Sequence, residues 1–168
     1  TFNLKATTEN VIGILANGSI SATSTTDATA LAGYAMSSKV TVNGGEFICT
    51  APKTVRCMYQ YGSVTGTYGT ATRTLIVNGG KFKSQIATVA ADGTIGTVAN
   101  TGANIETGSS SVKLASLVGG YYVNDNQLTA NVADTCEIIN ITSAAIDPEY
   151  TNGYYYKIVP DRKSTRLN

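Results

Sequence analysis

One eight-residue unit recurs three times along this 168-residue chain, and it restricts the fold more than any other feature. It reads Val40-Thr41-Val42-Asn43-Gly44-Gly45-Glu46-Phe47, then Leu75-Ile76-Val77-Asn78-Gly79-Gly80-Lys81-Phe82, then Ala115-Ser116-Leu117-Val118-Gly119-Gly120-Tyr121-Tyr122. The glycine pairs lie 35 and then 40 residues apart, so Val42, Val77 and Leu117 share one column and Phe47, Phe82 and Tyr122 another. Val40 and Val42 point one way and Lys39 and Thr41 the other, as a half-buried strand requires. Each glycine pair then predicts a sharp bend, because glycine accepts positive φ and close backbone approach. The aromatic beyond the bend is expected to turn inward and stack on its counterpart in the next copy. Glu46, Lys81 and Tyr121 differ at one position, which predicts an outward site of unconstrained chemistry. Val118 stands where the other copies have Asn43 and Asn78, so an asparagine ladder would end there.

A unit with one or two short strands cannot bury its own apolar face, so the copies must stack into a shared core. The spacers add strand-like runs at Val55–Tyr59 and Ile86–Val89, with Gly66-Thr67-Tyr68-Gly69-Thr70 as a projecting loop. A fainter echo, Ile14–Ile20, has one glycine and no aromatic. Thr26 to Met36 is a helical candidate capped by Asp27, but Gly33 and Tyr34 interrupt it, leaving a loop or one short helix. Beyond the third copy, Glu137–Ile141 and Tyr154–Val159 flank a turn at Asp147-Pro148-Glu149. That pattern predicts a closing hairpin over 136–160, which would cover exposed strand edges. The expected architecture is an all-β parallel solenoid over residues 1–160, with repeats near 40–49, 75–84 and 115–124 and a C-terminal strand hairpin or cap.

The two ends carry expectations of their own. Asp161-Arg162-Lys163-Ser164-Thr165-Arg166-Leu167-Asn168 resembles the in-frame translation of a sequencing-library adapter and holds three of the twelve basic residues. It is read as a non-native or disordered tail, with the native chain expected to continue past Pro160. The start at Thr1 without Met predicts a removed signal or a beginning within a longer polypeptide.

The Val-x-Gly-Gly-x-Phe units and the aromatic run Asn152-Gly153-Tyr154-Tyr155-Tyr156 resemble the repeats of right-handed parallel β-helix proteins of the pectate-lyase-like superfamily. The closest likeness is to large surface or secreted proteins of gut Bacteroidales, over roughly residues 38–160. The resemblance implies a parallel β-helix, and an extracellular or cell-surface location. It leaves activity open, since that superfamily spans polysaccharide lyases and hydrolases, adhesins and phage tailspikes.

The composition removes most familiar chemistry. With 12 Lys and Arg against 11 Asp and Glu, the formal charge of +1 supplies no field for nucleic acid or membranes. His and Trp are both absent, which removes the commonest general base and neutral metal ligand. No apolar run approaches the roughly 20 residues that span a bilayer. Glycosidase chemistry needs two facing carboxyl groups. The one close pair, Asp147 and Glu149, flanks a proline and reads as a turn. Asp92, Asp125 and Asp134 stand singly, and Arg56 and Arg73 have no evident acidic partner in the sequence. Asn124-Asp125-Asn126 has calcium-loop chemistry, but loop formation explains it more simply. The glycine pairs are followed by no Lys-Ser/Thr, so they are not phosphate loops. Asn17-Gly18-Ser19 and Asn140-Ile141-Thr142 fit the glycosylation acceptor pattern, which arises by chance in an Asn/Thr-rich chain. No catalytic residue, metal or cofactor is assigned.

Three cysteines cannot all pair within one chain, and Cys49, Cys57 and Cys136 read as small core residues. The spacing of eight between Cys49 and Cys57 leaves a local bridge open. Tyrosine is the one group suited to a partner, offering a flat surface with a hydroxyl handle for sugar rings or protein. Tyr59, Tyr61 and Tyr68 cluster in one spacer, and Tyr150, Tyr154, Tyr155 and Tyr156 in the last hairpin. Packing between repeats and at the cap is the other role, and both can hold at once. Alternation places Tyr154 and Tyr156 on one face and Tyr155 on the other. The resulting expectation is a non-catalytic stalk or adhesin-like segment that binds glycan or a host surface protein. Two other readings stay open: part of a polysaccharide lyase or hydrolase whose active site lies elsewhere, or a phage tail fibre, which would be trimeric.

Overall fold

A computed structural model describes residues 1–17, 19, 35–61, 70–107 and 112–162. The fold is all-β. Its strands are β1 (Phe2–Lys5), β2 (Val11–Asn17), β3 (Ala35–Val42), β4 (Glu46–Ala51), β5 (Val55–Tyr61), β6 (Thr70–Val77), β7 (Lys81–Ile86), β8 (Ala103–Thr107), β9 (Val112–Leu117), β10 (Gly120–Tyr122), β11 (Cys136–Asn140) and β12 (Tyr156–Pro160). A 3₁₀ turn, Pro148–Asn152, is the sole helical element among the described residues. No helix there is long and apolar enough to cross a membrane.

The strands form three sheets, ordered β1-β4-β7-β10-β12-β11, β2-β5-β8 and β3-β6-β9. Through β10 the chain therefore visits the sheets in rotation, each strand from β4 onward lying beside the one three earlier, and β11 and β12 remain in the first sheet. Pairing is parallel from β1 to β10 and throughout the second and third sheets. Only β12 and β11 join antiparallel, with Gly120 opposite Ile158 and Ile138 opposite Ile158 from the other side.

The repeat fixes the register. Val42, Val77 and Leu117 pair in sequence across the third sheet and are all buried. Phe47, Phe82 and Tyr122 do the same in the first sheet, and Phe2 adds a fourth member below Phe47. Their rings stack at centroid distances of 5.1, 5.5 and 5.2 Å, with planes nearly parallel. Such offset stacks add attraction beyond the area they bury. Asn78 donates its side-chain amide to Asn43 at 2.9 Å, and the ladder stops at Val118.

Each bend is made by the second glycine of its pair, with φ of 102° at Gly45, 121° at Gly80 and 111° at Gly120. This conformation is open to glycine and strained for other residues. It lets Lys81 N–H reach Gly45 O and Tyr121 N–H reach Gly80 O, each at 2.8 Å, so successive bends nest.

Several expectations are corrected. The echo Ile14–Ile20 does not align with the repeat: Ile14 to Asn17 lie in β2 and pair with Met58 to Tyr61 in another sheet. Ile86–Val89 is not a strand. β7 ends at Ile86, and the chain makes a small excursion closed by antiparallel bridges Ile86–Ala99 and Val89–Ile95, with Asp92 capping the turn through Thr94 N–H. Of the helical candidate Thr26 to Met36, Ala35 and Met36 open β3 and the rest lies outside the described residues. In the terminal eight residues only Asp161 and Arg162 are described, Asp161 N–H donating to Thr135 O at 2.8 Å.

The two ends of the stack differ. At the β10 end, residues 123–135 fold across, with Leu128 fully buried and Leu117 bonded to Asn131 and Ala133. Asn124 and Asn126 are fastened to 100–104: Asn124 donates to Asn100 O at 2.8 Å, Asn126 to Thr101 O at 2.9 Å, and buried Asn104 to Asn124 Oδ1 at 2.8 Å. These oxygens and amides serve loop anchoring. At the other end β1 is exposed throughout and Phe2 shows 60% of its surface.

Candidate functional site

Two clusters gather the polar and aromatic side chains that the repeat does not use. The first lies on the outer face of the second sheet. Strict alternation would put Arg56 on the opposite face from Tyr59. In the structure Cys57 and Met58 are both fully buried, so the alternation slips by one between them. β8 slips at the same level, with Asn104 and Ile105 both buried. As a result Arg56, Tyr59 and Tyr61 share the outer face.

Tyr59 and Tyr61 lie side by side, ring centroids 5.4 Å apart and inclined by 30°. The Arg56 guanidinium covers Tyr59 at 4.7 Å. It is held there by Glu106 of β8, with Nε to Oε2 at 2.7 Å and Nη2 to Oε1 at 3.0 Å. The two-point geometry fixes the guanidinium plane, which one point of contact would not. Arg56 thus has the acidic partner that the sequence did not reveal. Tyr61 is 46% exposed, and Ile12 and Leu15 of β2 extend the same face. Tyr68, the third tyrosine of this spacer, lies outside the described residues.

The second cluster lies on the outer face of the first sheet, where residues 141–157 fold back across the strands. Asp147 caps the 3₁₀ turn by accepting Glu149 N–H at 3.0 Å, and Gly153 at φ 78° ends it. The predicted turn is thus a capped 3₁₀ segment. From it Tyr154 reaches back to β4 and donates to Glu46 Oε1 at 2.6 Å. Lys81 pairs with Glu149 at 2.7 Å, and Lys83 donates to Asn152 O at 2.8 Å while covering the Tyr154 ring at 4.7 Å. Asp147 receives Lys157 at 2.7 Å and the Tyr121 hydroxyl at 3.2 Å. A shallow cleft of about 410 Å³ remains beside this latch, lined by Gly44, Gly45, Glu46, Gly80, Lys81 and Tyr121.

The tyrosine trio of the last hairpin therefore does not act as one surface. Tyr154 is fully buried, Tyr155 packs edge-on to Tyr150 at 5.6 Å, and Tyr156 sits opposite Tyr122 and packs on the core. Tyr154 and Tyr156 do not share a face, because β12 begins only at Tyr156, after the left-handed Gly153. The column Glu46, Lys81, Tyr121 is not chemically free either, since each member holds the latch. The one sequence signal for this was the opposite charge of Glu46 and Lys81 in adjacent copies.

The latch is pH-sensitive by construction. The Tyr154 hydrogen bond holds Glu46 below its ordinary value of 4.5, and Lys157 holds Asp147 below 3.8. Burial, reinforced by Glu46, pushes the Tyr154 hydroxyl far above the usual tyrosine range, so it stays a donor. A carboxylate with a lowered folded-state pKa stabilises fully above its unfolded value, and that stabilisation is lost as pH falls through the folded value. Between about pH 5 and 3 the stability should therefore fall, and Tyr154→Phe should make that fall shallower. The same substitution should cost about 1–2 kcal/mol at pH 7. Urea midpoints of both proteins across this range check it, and parallel acid limbs would exclude the Glu46–Tyr154 bond as a contributor.

Among the described residues no three His, Cys, Asp or Glu side chains come together as a metal site. Arg73 is fully buried on the inward face with Leu75 and Val77, and the Gln60 amide donates to its carbonyl. Comparison of the chain with protein-family models, curated proteins and solved structures found no match.

Proposed function

We propose that this chain is a non-catalytic segment of a parallel β-solenoid, a stalk or adhesive element outside the cell or at its surface, that contacts glycan through Tyr59 and Tyr61. The solenoid reading is supported by the rotation of the chain through three parallel sheets and by the in-register columns of Val42, Val77 and Leu117 and of the stacked aromatics. The binding reading is carried by one observation: an exposed tyrosine, Tyr61, and a half-buried one, Tyr59, have their rings 5.4 Å apart on the outer face of a sheet, with Tyr59 braced by an arginine. Aromatic faces supply contact area to sugar rings at low entropic cost, and their hydroxyls supply hydrogen bonds.

The charge of the platform selects among glycans. Arg56 is already neutralised by two bonds to Glu106, so among the described residues this face offers no unpaired cation to a uronate or sulfate. Neutral polysaccharides are the expected ligands. Affinity electrophoresis of the chain through gels containing neutral or polyuronate polysaccharides tests this. Retardation by a neutral polymer is expected, and Tyr59→Ala or Tyr61→Ala should weaken it about tenfold, the effect of losing one anchoring aromatic. Retardation by polyuronates alone, or by no polymer at all, would overturn the reading.

A further inference from the structure

Cys49 of β4 and Cys57 of β5 are free thiols, both fully buried and both inward. They lie on adjacent sheets on either side of the corner Pro52-Lys53-Thr54. Gly13 of β2 packs against the same spot: a side-chain carbon there would sit 2.9 Å from Cys49 Sγ and 2.7 Å from Cys57 O. Sulfur and partner backbone thus converge on one small volume that only glycine leaves open. Cys136 is remote from this place, half-buried on β11 beside Val118 O.

We propose that Cys49 and Cys57 are a disulfide-forming pair that closes across the β4–β5 corner in an oxidising environment. The step is thiol–disulfide exchange with a small disulfide such as oxidised glutathione. The Cys49 thiolate attacks one glutathione sulfur, forming a mixed disulfide and releasing one glutathione thiolate, which takes up a proton. The Cys57 thiolate then attacks the Cys49 sulfur and expels the second glutathione. Two protein thiols are oxidised and one glutathione disulfide is reduced to two thiols. Cys49 is the entry point because its neighbour toward the open end is Leu4 on β1, an edge strand exposed along its whole length. Fraying of that strand uncovers Cys49 first. Its interaction with Cys57 also draws its thiol below the usual range, while that interaction and burial hold Cys57 well above it.

The test incubates the full chain in reduced or oxidised glutathione, then denatures it, alkylates the remaining thiols and measures intact mass. Reduced protein should take up three alkyl groups and oxidised protein one, at Cys136. Trypsin should release peptides 40–53 and 57–73 joined in the oxidised sample only. The oxidised form should also melt at a higher temperature, since the bridge restricts the unfolded chain. Cys57→Ser should abolish the joined peptides. Three alkylations after oxidation, a cross-link through Cys136, or a lower melting temperature on bridging would each overturn the proposal.

Discussion

Phe82→Ala should destabilise the protein by about 3–5 kcal/mol, the cost of deleting a fully buried phenylalanine. The ring has no exposed surface and is sandwiched between Phe47 at 5.5 Å and Tyr122 at 5.2 Å, so its removal leaves a gap bounded by two rigid rings on strands fixed in register. Neither neighbour can collapse into that gap without breaking the parallel pairing of β4, β7 and β10. Phe2→Ala provides the comparison within the same column. Phe2 stacks on one ring only and is 60% exposed, so its loss should cost less than a third as much. Urea unfolding of the two variants beside the parent protein decides it; equal losses would mean that the column does not act as a continuous stack.

Gly119→Ala should cost about 1–3 kcal/mol, while Gly44→Ala should be close to neutral. The two glycines occupy the same place in their repeats, and neither has positive φ. What separates them is the neighbouring strand: a side-chain carbon at Gly119 would sit 2.4 Å from Asn78 O, at Gly79 3.1 Å from Asn43 O, and at Gly44 near nothing within 4 Å. The obstruction is backbone and cannot rotate away. Melting temperatures of the two variants test this directly. A large loss at Gly44 would mean that the first glycine is required by local conformation rather than by the close approach of successive bends.

The repeat columns were legible because they rest on local rules: alternation, a glycine bend and an aromatic at a fixed offset. Phe2 was not, although it extends the aromatic column, because Thr1-Phe2-Asn3 by itself holds none of the strand and glycine positions that identify the unit. The second sheet was half legible. Val55–Tyr59 reads as a strand, but the slip between Cys57 and Met58 is a property of three paired strands, and no pattern within β5 announces it. That slip is what brings Arg56 onto Tyr59, so the two tyrosines of the candidate platform could be named from sequence while Arg56 and Glu106 could not. The latch lay furthest from reach, since Glu46 and Tyr154 meet across 108 positions of sequence. Tyrosine count and alternation left Tyr154 with either a surface role or a packing role at the cap, whereas long-range pairing with a carboxylate gave it a buried one.

The latch also decides how the molecule bears tension. In the first sheet the hydrogen bonds run from strand to strand, so a pull separating β1 from β11 would open the sheet one strand at a time, each rung carrying the full load in turn. The contact from Tyr154 to Glu46 bypasses β7 and β10 and ties the C-terminal segment directly to β4, while Lys81 and Lys83 tie it to β7. Between β4 and β12 the load is shared by parallel paths. Outside that span, at the β1–β4 and β12–β11 pairings, it is not, so yielding under tension begins at one of those two outer pairings and leaves the latched strands between them together.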